Sequence, residues 1–141
     1  MRTLVVFTMA ASIGSFPGLA TAADATFTGV FRGTGRACSG ALYVRAQTIE
    51  WNSTYSVCKP TQYEILDNRV ANGNQRFVFR LKERSRQCRY SVVEVEHASG
   101  YNWNVSGYPS LEGFQKKDLL GWSRSPLPER WVQSCLMTGP D

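Results

Sequence analysis

The chain has 141 residues, with 16 Lys and Arg against 11 Asp and Glu for a formal net charge of +5, one histidine and four cysteines. That length allows one domain with a core of its own, and the mild positive excess favours anionic partners without marking a dedicated nucleic-acid binder. A lone histidine and no closely spaced cysteine pair exclude the paired-ligand spacing of structural zinc sites, so neither metal nor cofactor is expected.

Residues 1–22 follow the three-part order of an export signal. Arg2 supplies the positive start, Leu4-Val5-Val6-Phe7 opens an apolar run reaching Ile13, and Ala20-Thr21-Ala22 reads as a cleavage site. Gly14 and Pro17 break the run, which is too short to span a bilayer. The expectation is a signal peptide over 1–22 and a single exported β-domain over 23–141, periplasmic or secreted, with no transmembrane segment. Asn52-Ser53-Thr54 and Asn104-Val105-Ser106 are glycosylation acceptors only in a eukaryotic secretory host.

Period-2 alternation dominates the rest of the chain. Thr26 to Arg32 reads as a first strand, ended by Gly33-Thr34-Gly35. Ala41–Val44 and Thr48–Trp51 form a predicted hairpin that pairs Val44 with Ile49 and Leu42 with Trp51, with those four side chains inward. Tyr55–Val57 and Gln62–Leu66 read as separate short strands, and Asp67 to Asn74 as a loop. Phe77, Phe79 and Leu81 alternate with polar residues, as do Cys88, Tyr90 and Val92. A tight turn near Glu83–Arg86 would pair Leu81 with Cys88, Phe79 with Tyr90 and Phe77 with Val92, leaving a bulge at Val92-Val93. Tyr101, Trp103 and Val105 mark another strand. Ser110 caps a predicted short helix near 110–120, residues 123–129 are loop, and Arg130–Met137 is a last strand. About eight short strands predict an all-β, single-domain antiparallel β-barrel or sandwich.

An even cysteine count in an exported domain predicts two disulfides among Cys38, Cys58, Cys88 and Cys135. The pairing favoured is 38–58 with 88–135, because bridges between sequence neighbours suit a meander. The 38–58 bridge carries a condition. The chain must bend near Asn52-Ser53-Thr54 so that Cys58 returns from a third strand.

The chemistry-bearing motifs are sparse. Gly33-x-Gly35 followed by Cys38-Ser39-Gly40 superficially resembles a phosphate loop, but Ala41 and Leu42 stand where the Walker pattern needs Lys and Ser/Thr, so these glycines read as a β-turn. Glu94 and Glu96 share a strand face about 6.5–7 Å apart by strand rise, close enough to keep a glycosidase-like carboxyl pair in view. With His97 they form the only candidate catalytic group, of a small hydrolase, against the simpler reading of a solvated face and a turn. The densest charge lies in the run from Arg80 to Arg89. Arg80, Lys82 and Arg89 would line the outer face, Arg84 and Arg86 the tip, and Arg80 would oppose Arg89. Tyr101-Asn102-Trp103-Asn104 interleaves rings with amides, as a sugar-binding strand would, or as a strand with rings in the core would.

The function expected is a non-catalytic exported binding module that recognises an envelope or extracellular partner, such as an anionic glycan, lipid or protein. Its candidate binding residues are Arg80, Lys82, Arg84, Arg86, Arg89, Tyr101 and Trp103. Alternatives are an inhibitor of a cell-wall hydrolase or protease, and the small hydrolase using Glu94, Glu96 and His97; nucleic acid is disfavoured. A filled barrel would point to surface recognition, a deep aromatic cavity to a lipocalin-like carrier.

Overall fold

The computed structural model of the protein describes residues 27–71, 73–119, 124 and 131–140. The predicted signal peptide, its cleavage site and nearly all of the 123–129 loop lie outside the described residues. Eight antiparallel strands close into a barrel in simple meander order. They are β1 (Gly29–Gly33), β2 (Gly40–Val44), β3 (Thr48–Ser53), β4 (Ser56–Ala71), β5 (Asn74–Leu81), β6 (Val92–Ser99), β7 (Asn102–Tyr108) and β8 (Gln133–Thr138), with helix α1 (Leu111–Lys116) between β7 and β8.

The alternating residues do what their period dictates. Phe31, Leu42, Ile49, Trp51, Phe79, Val95, Val105 and Met137 point inward and belong to one buried cluster. An eight-stranded barrel is just wide enough for side chains to fill, and these rings and branched chains fill it. Phe27 covers one end, its ring 3.8 Å from that of Phe77 and 5.8 Å from Trp103. Tyr90 covers the other, stacked 4.9 Å from Trp51. The β2–β3 register is the predicted one, with Val44 opposite Ile49 and Leu42 opposite Trp51. The chain then turns back at Ser53–Ser56, where the bend was required.

Three expectations are corrected. First, β4 runs unbroken through Lys59-Pro60 and on to Ala71. It pairs with β3 over its first half and with β5 over its second, through bulges that let it change direction, so Asp67 to Ala71 is strand.

Second, the β5–β6 register pairs Phe79 with Val93 and Phe77 with Val95, without a bulge at Val92-Val93. The tight-turn register assumed a single buried face. In fact Val78, Val92 and Tyr108 form a second apolar patch on the outside of the barrel, covered by Leu111 and Phe114 of α1. A strand buried on both faces has no reason to alternate. Cys88 and Tyr90 do reach the interior cluster, but from a loop.

Third, the disulfides are Cys38–Cys135 and Cys58–Cys88. Barrel closure brings β8 beside β1, which reasoning from sequence neighbours cannot see. That seam has only two paired positions, Arg32 with Thr138 and Gly33 with Met137, and the Cys38–Cys135 bridge fastens it beyond the ladder.

Gly35 in the β1–β2 connection and Gly40 at the start of β2 have φ of 90° and 132°, backbone that other residues rarely adopt, consistent with a turn. Ser110 caps α1 as predicted, its hydroxyl accepting from the Gly113 N–H at 2.9 Å.

Candidate anion-binding site

In a meander, alternate loops meet at the same end. The β1–β2, β3–β4, β5–β6 and β7–β8 connections therefore share one end of this barrel. The first and third of these carry Arg36, Lys82, Arg84, Arg86 and Arg89 against a single acid, Glu83.

Residues 82–91 form a long loop folded back onto β4 and tied at nearly every position. The Lys82 and Glu83 N–H groups donate to the Gln62 carbonyl (2.9 Å) and the Thr61 hydroxyl (3.1 Å). The Ser85 hydroxyl donates to the Val57 carbonyl at 2.9 Å and accepts from the Lys59 N–H at 3.1 Å. The Val57 N–H donates to the Gln87 carbonyl at 3.1 Å, and the Arg89 N–H to the Ser56 hydroxyl at 3.0 Å. The Cys58–Cys88 disulfide crosses the same contact. Tyr90 dips into the barrel mouth, where its hydroxyl donates to Gln133. Burial holds that phenol above its ordinary pKa of 10.0, against the partial opposing pull of Arg89. A turn closed by the Cys88 N–H and Ser85 carbonyl (2.9 Å) puts Arg86 and Gln87 at the tip. Their peptide is bent, unlike the extended chain a protease cleft binds.

This scaffold holds three arginines. Arg84 donates to the Pro109 carbonyl at 3.2 Å. The Arg89 guanidinium lies over the Trp131 ring, 4.7 Å from its centre. Arg86 projects from the turn with no ion-pair partner among the described residues. A depression of about 450 Å³ is lined by Thr54, Tyr55, Ser56, Val57, Arg86, Gln87 and Arg89. A second of about 380 Å³ is lined by Arg84, Cys88, Arg89, Tyr90, Pro109 and Trp131. A third of about 260 Å³ lies beside Lys59, Ser85 and Arg86. Arg89 borders the first two depressions and Arg86 the first and third, so the three form a band around the arginines.

Of the residues picked from sequence, Arg84, Arg86 and Arg89 come together here, with Lys82 exposed at the start of the loop. Arg80 does not oppose Arg89. It lies opposite Val92 on the outer wall, 3.9 Å from Glu64, because the register differs from the expected one. Trp103 is buried under Phe27 and donates its indole N–H to the Gly139 carbonyl at 2.9 Å, so its ring has no free face. Tyr101 is 80% exposed, but at the opposite end of the barrel. Sequence reasoning missed Tyr55, Lys59 and Trp131. Their only signal is that the topology folds three separate stretches around one loop.

Glu94, Glu96 and His97 are not brought together. Glu94 and Glu96 share the outer face, while His97 turns to the inner side, its ring edge-on to Trp103 at 5.0 Å and bonded to the Gly100 carbonyl at 2.8 Å. Glu94 is buried under α1. It accepts from Arg76 Nε (2.8 Å), Tyr108 (3.2 Å) and Lys117 (3.4 Å), and Arg76 also bridges to Asp67. Arg76 from the barrel and Lys117 at the end of α1 thus meet on one carboxylate, latching the helix to the barrel. Burial, and then the adjacent Glu94 carboxylate, push the Tyr108 phenol well above 10.0.

Among the described residues no group of three or more His, Cys, Asp or Glu could hold a metal ion, and no helix is long and apolar enough to cross a membrane. Comparison with protein-family models, with curated proteins and with solved structures finds no match.

Proposed function

We propose that the protein is a non-catalytic binding module of an oxidising, extracytoplasmic compartment, and that the arginine-bearing end of its barrel recognises a polyanionic partner. The observation that carries this reading is the tethered 82–91 loop. Hydrogen bonds from its backbone and from Ser85, to the rest of the chain and across its own turn, together with one disulfide, hold Arg84, Arg86 and Arg89 around adjoining depressions. Like charges gathered this way repel one another, and a rigid scaffold meets that cost before the ligand arrives. Guanidinium groups suit carboxylate, sulfate and phosphate because they bond such oxygens in pairs. The filled interior favours surface recognition over carriage. The separation of His97 from the two carboxylates, and the commitment of Glu94 to three partners, support a non-catalytic role.

The experiment is binding to dextran sulfate and to inorganic polyphosphate at several salt concentrations. Affinity should fall as salt rises, and Arg86→Glu with Arg89→Glu should weaken it by about tenfold or more, since bonds to charged groups contribute about 1.5–3 kcal/mol each. No binding to either dextran sulfate or inorganic polyphosphate, or binding indifferent to both changes, rejects the proposal.

A further inference from the structure

We infer that the polyanion is an acidic polysaccharide, whose sugar rings seat against Tyr55 and Trp131 while its carboxylate or sulfate groups bond Arg86 and Arg89; the inference rests on the function proposed above. A basic patch alone would recognise any polyanion, but this one ends in rings on both sides. Tyr55, 53% exposed, walls the first depression, and Trp131, 60% exposed, walls the second, with Arg89 bordering both. Large aromatic side chains left this open contrast with the barrel's other indoles among the described residues, Trp51 and Trp103, which are buried.

A sugar ring offers what the site needs: an apolar C–H face for stacking, hydroxyls around its rim, and an acidic substituent at one edge. The hydroxyls would meet Thr54 and Gln87 in the first depression. Single-stranded nucleic acid also combines charge with stacking, but it lays successive bases on rings along a groove; here an arginine stands between the two rings. The first and second depressions, about 450 and 380 Å³, both fall within the about 300–1,000 Å³ of small-ligand sites, so a short oligosaccharide could cross the arginine from one to the other.

The test measures binding of an oligogalacturonate, dextran sulfate, inorganic polyphosphate and oligo(dT) to the full chain, and to Tyr55→Ala, Trp131→Ala and Trp131→Phe variants. Both residues are exposed, so the variants should retain their thermal unfolding midpoints. The inference expects each alanine change to weaken at least one of the two glycans by about fivefold. Polyphosphate binding should change by less than about twofold, and Trp131→Phe should restore most of the loss. Loss limited to oligogalacturonate assigns carboxylate as the acidic group, and loss limited to dextran sulfate assigns sulfate. Equal losses for glycan and polyphosphate overturn the inference, as does ring-dependent preference for oligo(dT). Binding of polyphosphate but neither glycan overturns it and leaves the basic-end function standing. No binding of any polyanion rejects both.

Discussion

Replacing Gly107 with alanine should disturb the floor of the candidate site without touching any of its charges. A Cβ at this position would lie 2.6 Å from the Tyr90 ring and 2.8 Å from Trp51, about 1 Å inside ordinary carbon–carbon contact. Neither ring can yield cheaply: both are at least 95% buried and they stack on each other. The strain is relieved when Tyr90 leaves the mouth, giving up its bond to Gln133 and its buried ring and leaving room for the Trp51 ring stacked on it to shift. Overpacking costs about 1–3 kcal/mol and loss of a large buried side chain about 3–5, so the expected cost is about 2–4 kcal/mol. For a domain of this size that lowers the melting midpoint by about 8–15 °C. Chemical denaturation read by near-ultraviolet circular dichroism measures it. A double-mutant cycle isolates the cause: in a Tyr90→Ala background, Gly107→Ala should cost less than about 1 kcal/mol. An equal cost in both backgrounds would refute the packing argument.

The two disulfides should separate in function as well as stability. Replacing Cys38 and Cys135 by serine opens a span of 97 residues and should cost about 4.7 kcal/mol, while replacing Cys58 and Cys88, 30 apart, should cost about 3.7 by chain entropy. Only the second pair should also weaken polyanion binding, as read by titration under conditions where both variants are folded. Glu94→Gln leaves Arg76 and Lys117 beside a neutral group in a mostly buried setting and should cost about 2–4 kcal/mol in urea denaturation, with faster amide exchange in α1. At alkaline pH the native Tyr90 and Tyr108 phenols keep protons that the unfolded chain loses near 10.0. Their contribution is therefore whole below pH 10 and declines as pH rises above it. Urea midpoints taken from pH 8 upward should show that decline, and Tyr108→Phe should lessen it.

Much of the architecture was legible because the inward face of a barrel obeys a period of two. That rule alone placed Leu42, Val44, Ile49 and Trp51 and paired β2 with β3 in register. Ser110 was legible as a cap because capping is local chemistry. The β5–β6 register failed because Val92 is buried from outside by a helix some 20 residues further on, so an apolar residue on the outer face looked like a bulge. The disulfide pairing failed because closure joins the first strand to the last. In the site, the charge run pointed to Arg84, Arg86 and Arg89. Ser56 and Val57, which tether their loop, and the rings that flank it lie on other strands and connections, and no local pattern reports such contacts.

The central claim is that the end of the barrel carrying the 82–91 loop is the recognition surface, and side-chain nuclear magnetic resonance tests it most directly. As a short anionic polymer is titrated into isotopically labelled protein, the guanidinium Nε–H signals of Arg84, Arg86 and Arg89 should shift together, saturate and return as salt is raised. Shifts that leave these three unmoved and gather instead around Tyr101 or the Glu94 latch would contradict it.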